Sequence, residues 1–125
     1  MKLRIKGDSV RLRLARTEVR NLLEAGVVEE ATRFPGGAQL RCVLSTGRGA
    51  SGVAAAFDGG TLTVSLPQDV ARRWGTSEDV EIRATLPLDG GALELLIEKD
   101  FPCLTVRPGE DDSDAFPRDR LLPDP

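Results

Sequence analysis

Leu62-Thr-Val-Ser-Leu-Pro67-Gln-Asp-Val-Ala-Arg-Arg-Trp-Gly75 is the stretch on which the fold turns. Leu62, Val64 and Leu66 alternate with Thr63 and Ser65, the period of a strand with one buried face. Pro67 suits the first helical position, because the N–H it lacks would have no partner there. Val70 and Trp74, spaced i, i+4, share a helix face before Gly75. A strand therefore runs straight into a short helix.

Outward from this stretch, Val53 to Phe57 reads as a second strand, turned back at Asp58-Gly59-Gly60. Downstream, Val80, Ile82, Ala84 and Leu86 alternate with Glu81, Arg83 and Thr85, and Asp89-Gly90-Gly91 leads into Leu93, Leu95 and Ile97. Residues 53–99 thus read as hairpin, helix, hairpin. The same order occurs in residues 2–45. Lys2 to Lys6 and Val10 to Leu14 alternate around Gly7-Asp8-Ser9. Thr17 is placed to cap a helix carrying Glu18, with Val19, Leu22 and Leu23 on one face and Gly26 as its end. Val27 to Phe34 and Gln39 to Leu44 then flank Pro35-Gly36-Gly37. Gly7, Val10, Leu12 and Leu14 superpose on Gly59, Leu62, Val64 and Leu66 with a shift of 52, and Gly36-Gly37 on Gly90-Gly91 with a shift of 54. Two extra residues after the second helix reconcile the shifts.

The expectation is an α+β chain, mostly β: a small closed or half-closed barrel from two ββαββ repeats with two short helices. Residues 1–105 form a single domain with pseudo-repeats 2–45 and 53–99, Gly47 to Gly52 is a flexible linker, and 106–125 is an acidic, proline-containing tail in which Phe116, Leu121 and Leu122 are anchor candidates.

Val53 to Lys99 resembles the AbrB-type swapped-hairpin domain of bacterial transition-state regulators. The residues that carry the likeness are Leu62 to Gly75, Glu78-Asp79-Val80-Glu81-Ile82 and Leu93-Glu94-Leu95-Leu96-Ile97. The resemblance implies two interlocked units forming one closed barrel, which two copies in one polypeptide would form within a monomer; closure would remove exposed sheet edges. The opening Met1-Lys-Leu-Arg-Ile-Lys-Gly-Asp-Ser-Val-Arg-Leu-Arg-Leu14, with Glu98-Lys-Asp-Phe-Pro-Cys-Leu104 and Asp114-Ala-Phe-Pro117, also resembles an uncharacterised family of small bacterial proteins, in which asparagine stands where this chain has Asp8. That resemblance implies a bacterial protein and no activity.

The chain has 125 residues, no histidine and two cysteines. Without histidine it lacks the usual general base near neutral pH, the Ser-His and Cys-His pairs and the commonest metal ligand. Cys42 lies on the apolar face of Leu40 and Leu44, a core position; Cys103, beside Pro102, falls in a loop. Two cysteines so far apart suggest neither a zinc site nor a redox pair. No signal peptide and no apolar span of about 18 residues is present, so a cytoplasmic address is expected. No phosphate loop or nucleophile elbow occurs; Gly47-Arg48-Gly49-Ala50-Ser51-Gly52 lacks the Gly-Lys-Ser/Thr ending. Asp111, Asp112 and Asp114 offer oxygens to a divalent cation but lack a calcium-loop pattern, and a solvated tail is the better reading. No metal and no cofactor is expected. The catalytic alternative is Lys99 with Asp100, near Glu98 and Cys103; adjacent strand residues point opposite ways, which argues against convergence.

Charge is unevenly spread. Residues 1–50 hold ten Lys or Arg against five Asp or Glu, and residues 51–125 seven against fifteen. Alternation in the first hairpin places Lys2, Arg4, Lys6, Arg11 and Arg13 on one exposed face. Three readings stand: charge solvated or covered by the acidic run Glu110-Asp111-Asp112-Ser113-Asp114, a protein-binding surface, or a strand ribbon tracking nucleic-acid phosphates. Nucleic acid is disfavoured by the pI near 5.0, the lack of tyrosine and the single tryptophan. The segment that corresponds to the ribbon in the second half, Val53 to Ser65, carries no basic residue. The expected function is a non-enzymatic binding or protein-interaction module, monomer or homodimer, with no membrane association; the alternatives are an AbrB-like DNA-binding regulator using the basic hairpin and a small enzyme using Lys99 and Asp100.

Overall fold

A computed structural model describes residues 1–47 and 52–101. Alternation and glycine turns give eight strands and two helices in the expected order: β1 (Lys2–Lys6), β2 (Ser9–Leu14), α1 (Arg16–Ala25), β3 (Val27–Arg33), β4 (Gln39–Gly47), β5 (Ala54–Asp58), β6 (Thr61–Pro67), α2 (Gln68–Thr76), β7 (Glu81–Leu88) and β8 (Gly91–Lys99). They make two four-stranded sheets, β1-β2-β8-β7 and β3-β4-β6-β5. Each sheet takes its first hairpin from one half of the chain and its second hairpin from the other. The joints are parallel: Leu12 sits beside Ile97 in one sheet and Val64 beside Leu44 in the other. Among the described residues no closed barrel is formed, since the two sheets stay separate with β1, β7, β3 and β5 as edges. Of the two forms the alternation allowed, the closed one is excluded.

One core joins the two sheets and both helices. Val10, Leu12, Leu14, Leu95 and Ile97 from the first sheet meet Val28, Cys42, Leu44, Leu62, Val64 and Leu66 from the second, with Val19, Leu22, Ala71 and Trp74 from the helices. Burying each such leucine or valine contributes roughly 1.5–3 kcal/mol. The helices touch at Leu23 and Gly75, where a Cβ on Gly75 would come within 2.7 Å of the Leu23 side chain.

The pairings define counterparts. Leu12 and Val64 are 52 apart, whereas Leu44 and Ile97, which flank them in the two sheets, are 53 apart. The turn that contains Pro35–Gly37 is longer than the Asp89-Gly90 turn, and the link after α2 is longer than the one after α1; the two differences nearly cancel.

Three local expectations are corrected. The cap of α1 is Ala15 rather than Thr17; alanine offers no side-chain acceptor to the first turn, and the Glu18 carboxylate reaches back to accept the Ala15 N–H at 2.8 Å. Pro67 is the cap of α2 rather than its first residue, and it still pairs with Gly47 as the end of β6. Ala71, not Val70, is the residue buried with Trp74 on α2. Gly26 ends α1 as expected, at φ 81°, with its N–H bonded to the Leu22 carbonyl at 2.9 Å. Cys42 is 3% exposed, in the core. The inter-half segment 48–51, Cys103, the acidic run 110–114 and Phe116, Leu121 and Leu122 lie outside the described residues. Among those described, no helix is long and apolar enough to cross a membrane.

Candidate functional site

The register of the first hairpin pairs Lys2 with Arg13, Arg4 with Arg11 and Lys6 with Ser9, so the five basic side chains do share a face. Because β2 is an inner strand, β8 lies along its other side and sets Glu94, Leu96 and Glu98 beside Ser9, Arg11 and Arg13. Glu98 is 5% exposed, a buried carboxylate. Its Oε1 accepts from Arg13 Nε at 2.5 Å and lies 3.9 Å from Arg11 Nε. A carboxylate at that depth persists because cations meet it. At the open end of the hairpin, Lys2 Nζ lies 3.0 Å from Asp100 Oδ2.

This divides the ribbon in two. The Arg11 and Arg13 side chains are only 16% and 17% exposed and are anchored on Glu98, whereas the Lys2 side chain is 73% exposed. Arg4 and Lys6 are likewise exposed, and all three lie on an edge strand. Charged side chains on an edge also deter pairing with another sheet.

A second candidate is a groove of about 770 Å³ where the helices meet the ends of β2 and β8. Leu14, Val19 and Leu23 are among its apolar lining; Lys99, Asp100 and Phe101 border it at the end of β8. Lys99 thus stands at the rim of a groove. The ammonium is already engaged, however: Nζ donates to the Ser77 carbonyl at 2.8 Å and lies 5.6 Å from the centre of the Trp74 ring. The Asp100 carboxylate turns toward Lys2, and its N–H bonds the Leu14 carbonyl at 2.9 Å. The two groups flank one groove but are held by different partners. Among the described residues no three His, Cys, Asp or Glu gather to hold a metal ion.

Two features escaped the sequence reading. Glu98 becomes the hub of the ribbon only through a pairing across the two halves, which leaves no local trace. The α-ammonium of Met1 donates to Glu18 and to Glu30 Oε1, the latter at 3.0 Å, tying the start of β1 to α1 and β3. Burial acts to lower its pKa, but the hydrogen bonds and charges of the two carboxylates outweigh this and raise it above the ordinary 8.0. Burial pushes the Cys42 thiol up to about 11, so it is an inert core group rather than a nucleophile.

No curated protein and no solved structure matches the chain. A family model described as a family of unknown function (DUF7009) matches residues 1–120, and the chain belongs to that family.

Proposed function

We propose that this chain is a non-enzymatic interaction module of the bacterial cytoplasm, and that the β1–β2 ribbon receives an acidic segment of a protein. The observation that carries the reading is the division of the ribbon: arginines fixed on a buried carboxylate form a rigid base, and Lys2, Arg4 and Lys6 stand on an exposed edge above it. A buried ion pair adds little net stability compared with apolar packing, so such a base is better explained by what it positions. The edge strand also offers backbone groups to an extended peptide. We further read the two halves as copies of one ββαββ unit, only the first of which carries the charged face.

The test is a titration with a ten-residue glutamate peptide and, in parallel, with a duplex DNA at low salt. The peptide is expected to bind, and changing Lys2, Arg4 and Lys6 together to Ala to weaken it about tenfold, since three exposed pairs at under 1 kcal/mol each sum to that order. The second reading, DNA binding by the same hairpin, would replace the first if the duplex shifted at low salt and the Arg11→Ala, Arg13→Ala variant abolished that shift. Turnover lost on Lys99→Met would favour the enzymatic alternative.

A further inference from the structure

We infer that the acidic run Glu110-Asp111-Asp112-Ser113-Asp114 of the same chain occupies the β1–β2 ribbon and competes there with an external acidic segment. The inference rests on the reading of the ribbon as an acidic-peptide receptor and adds a built-in regulator to it.

Three observations support it. The first is the charge of the face: among the described residues, Lys2, Arg4, Lys6, Arg11 and Arg13 of the ribbon stand beside the carboxylates Glu94, Glu98 and Asp100 on and just after β8. The acidic run supplies four more within five residues. The second is the direction in which the chain leaves the sheet. The Asp100 N–H is bonded to the Leu14 carbonyl at 2.9 Å and its carboxylate lies 3.0 Å from Lys2 Nζ, so the backbone departs at the Lys2–Arg13 end of the ribbon. The third is reach. Residues 101–109 span up to about 30 Å when extended, whereas Lys2 to Lys6 covers only about 13 Å. A tether of that length gives the run an effective concentration on the order of millimolar at the ribbon, enough to compete although each exposed pair is weak.

The experiment uses the full chain with Glu110→Gln, Asp111→Asn, Asp112→Asn and Asp114→Asn combined, compared with the unaltered protein. Nitrogen-15 NMR follows the amides of residues 2–13 and the Nε–H groups of Arg11 and Arg13, with residues 39–47 and 61–67 of the other sheet as internal controls. The ribbon signals are expected to move between the two proteins at low salt while the controls stay, and the difference to vanish at about 0.5 M salt. The variant is also expected to bind the ten-residue glutamate peptide about tenfold more tightly. Ribbon signals that coincide in the two proteins, or equal peptide affinities, overturn the inference. Peptide binding by neither protein instead overturns the receptor reading, and the ribbon signals alone then decide whether the tail lies on the face.

Discussion

The hairpins β1–β2 and β5–β6 hold the same place in their respective sheets, yet their outer faces share almost no chemistry. Counterpart by counterpart, Lys2, Arg4 and Lys6 face Ala54, Ala56 and Asp58, and Arg11 and Arg13 face Thr63 and Ser65. The buried Glu98 has Ser45 as its counterpart on β4. Inward-facing positions behave oppositely: Val10, Leu12 and Leu14 answer to Leu62, Val64 and Leu66, all buried. The topology therefore needs the apolar pattern twice but the charges only once. Stability is shared between the halves, while the five basic side chains of the charged face come from one.

The largest effect should come from the shared interior. Trp74→Ala is expected to cost about 3–5 kcal/mol and its counterpart Leu22→Ala about 2–5 kcal/mol, both read by denaturant unfolding. Trp74 additionally loses the 3.0 Å bond from its Nε1–H to the Val80 carbonyl. A loss confined to one of the two would break the equivalence of the halves. The charged face should behave in a non-additive way. Glu98→Ser alone removes the buried carboxylate that Arg11 and Arg13 share and is expected to cost about 3 kcal/mol, whereas Arg11→Thr, Arg13→Ser and Glu98→Ser together, which install the counterpart residues of the other sheet, should fall within about 1 kcal/mol of the original. A triple variant less stable than the single one would show that the fold itself requires the ion cluster.

Next in size is the turn between β5 and β6. Gly60 has φ 78°, and a Cβ there would meet the Gln39 carbonyl at 3.0 Å, so Gly60→Ala is expected to cost about 1–2 kcal/mol. Its counterpart Asp8 takes no positive φ, and Asp8→Ala should change stability by under about 0.5 kcal/mol, although the two carbonyls do the same job: Gly60 O accepts from Arg41 and Asp8 O from Glu94, each at 2.9 Å.

The smallest effect is silent at neutral pH. Both raised groups hold their proton more tightly when folded, so their contributions are complete below the unfolded values and fade as pH climbs through the folded ones. Stability should begin to fall above pH 8.0 as the Met1 ammonium deprotonates, and Glu18→Gln should flatten that first decline. A second decline, from about pH 9.0 toward 11, belongs to Cys42; Cys42→Val should remove it, because the counterpart position, Leu95, already holds an aliphatic side chain.

Much of the architecture was legible in local pattern. Alternation from Val10 to Leu14 and from Leu62 to Leu66 named the buried strands, and the glycines at 26, 59 and 90 marked where the chain must bend. Helix starts slipped by one or two residues, because α1 begins without a side-chain cap, its Ala15 N–H held instead by the Glu18 carboxylate, and because Pro67 still ends β6. The face of the basic ribbon followed from period two alone. Its anchoring did not: Glu98 reaches Arg11 and Arg13 through a parallel pairing that no window of adjacent residues encodes, while the acidic run 110–114 that the sequence also offered lies outside the described residues.

That pairing also governs how the molecule can be made. Val10 lies beside Leu95 in the finished sheet, a separation of 85 positions, and the strands between them belong largely to the other sheet. Closing so long a loop is slow, and β2 has no neighbour on one side until nearly the whole domain has been synthesised. A nascent chain paused midway would present an unfinished apolar sheet to its surroundings, so this protein should depend on rapid completion of translation, or on a chaperone, more than a helical domain of equal size.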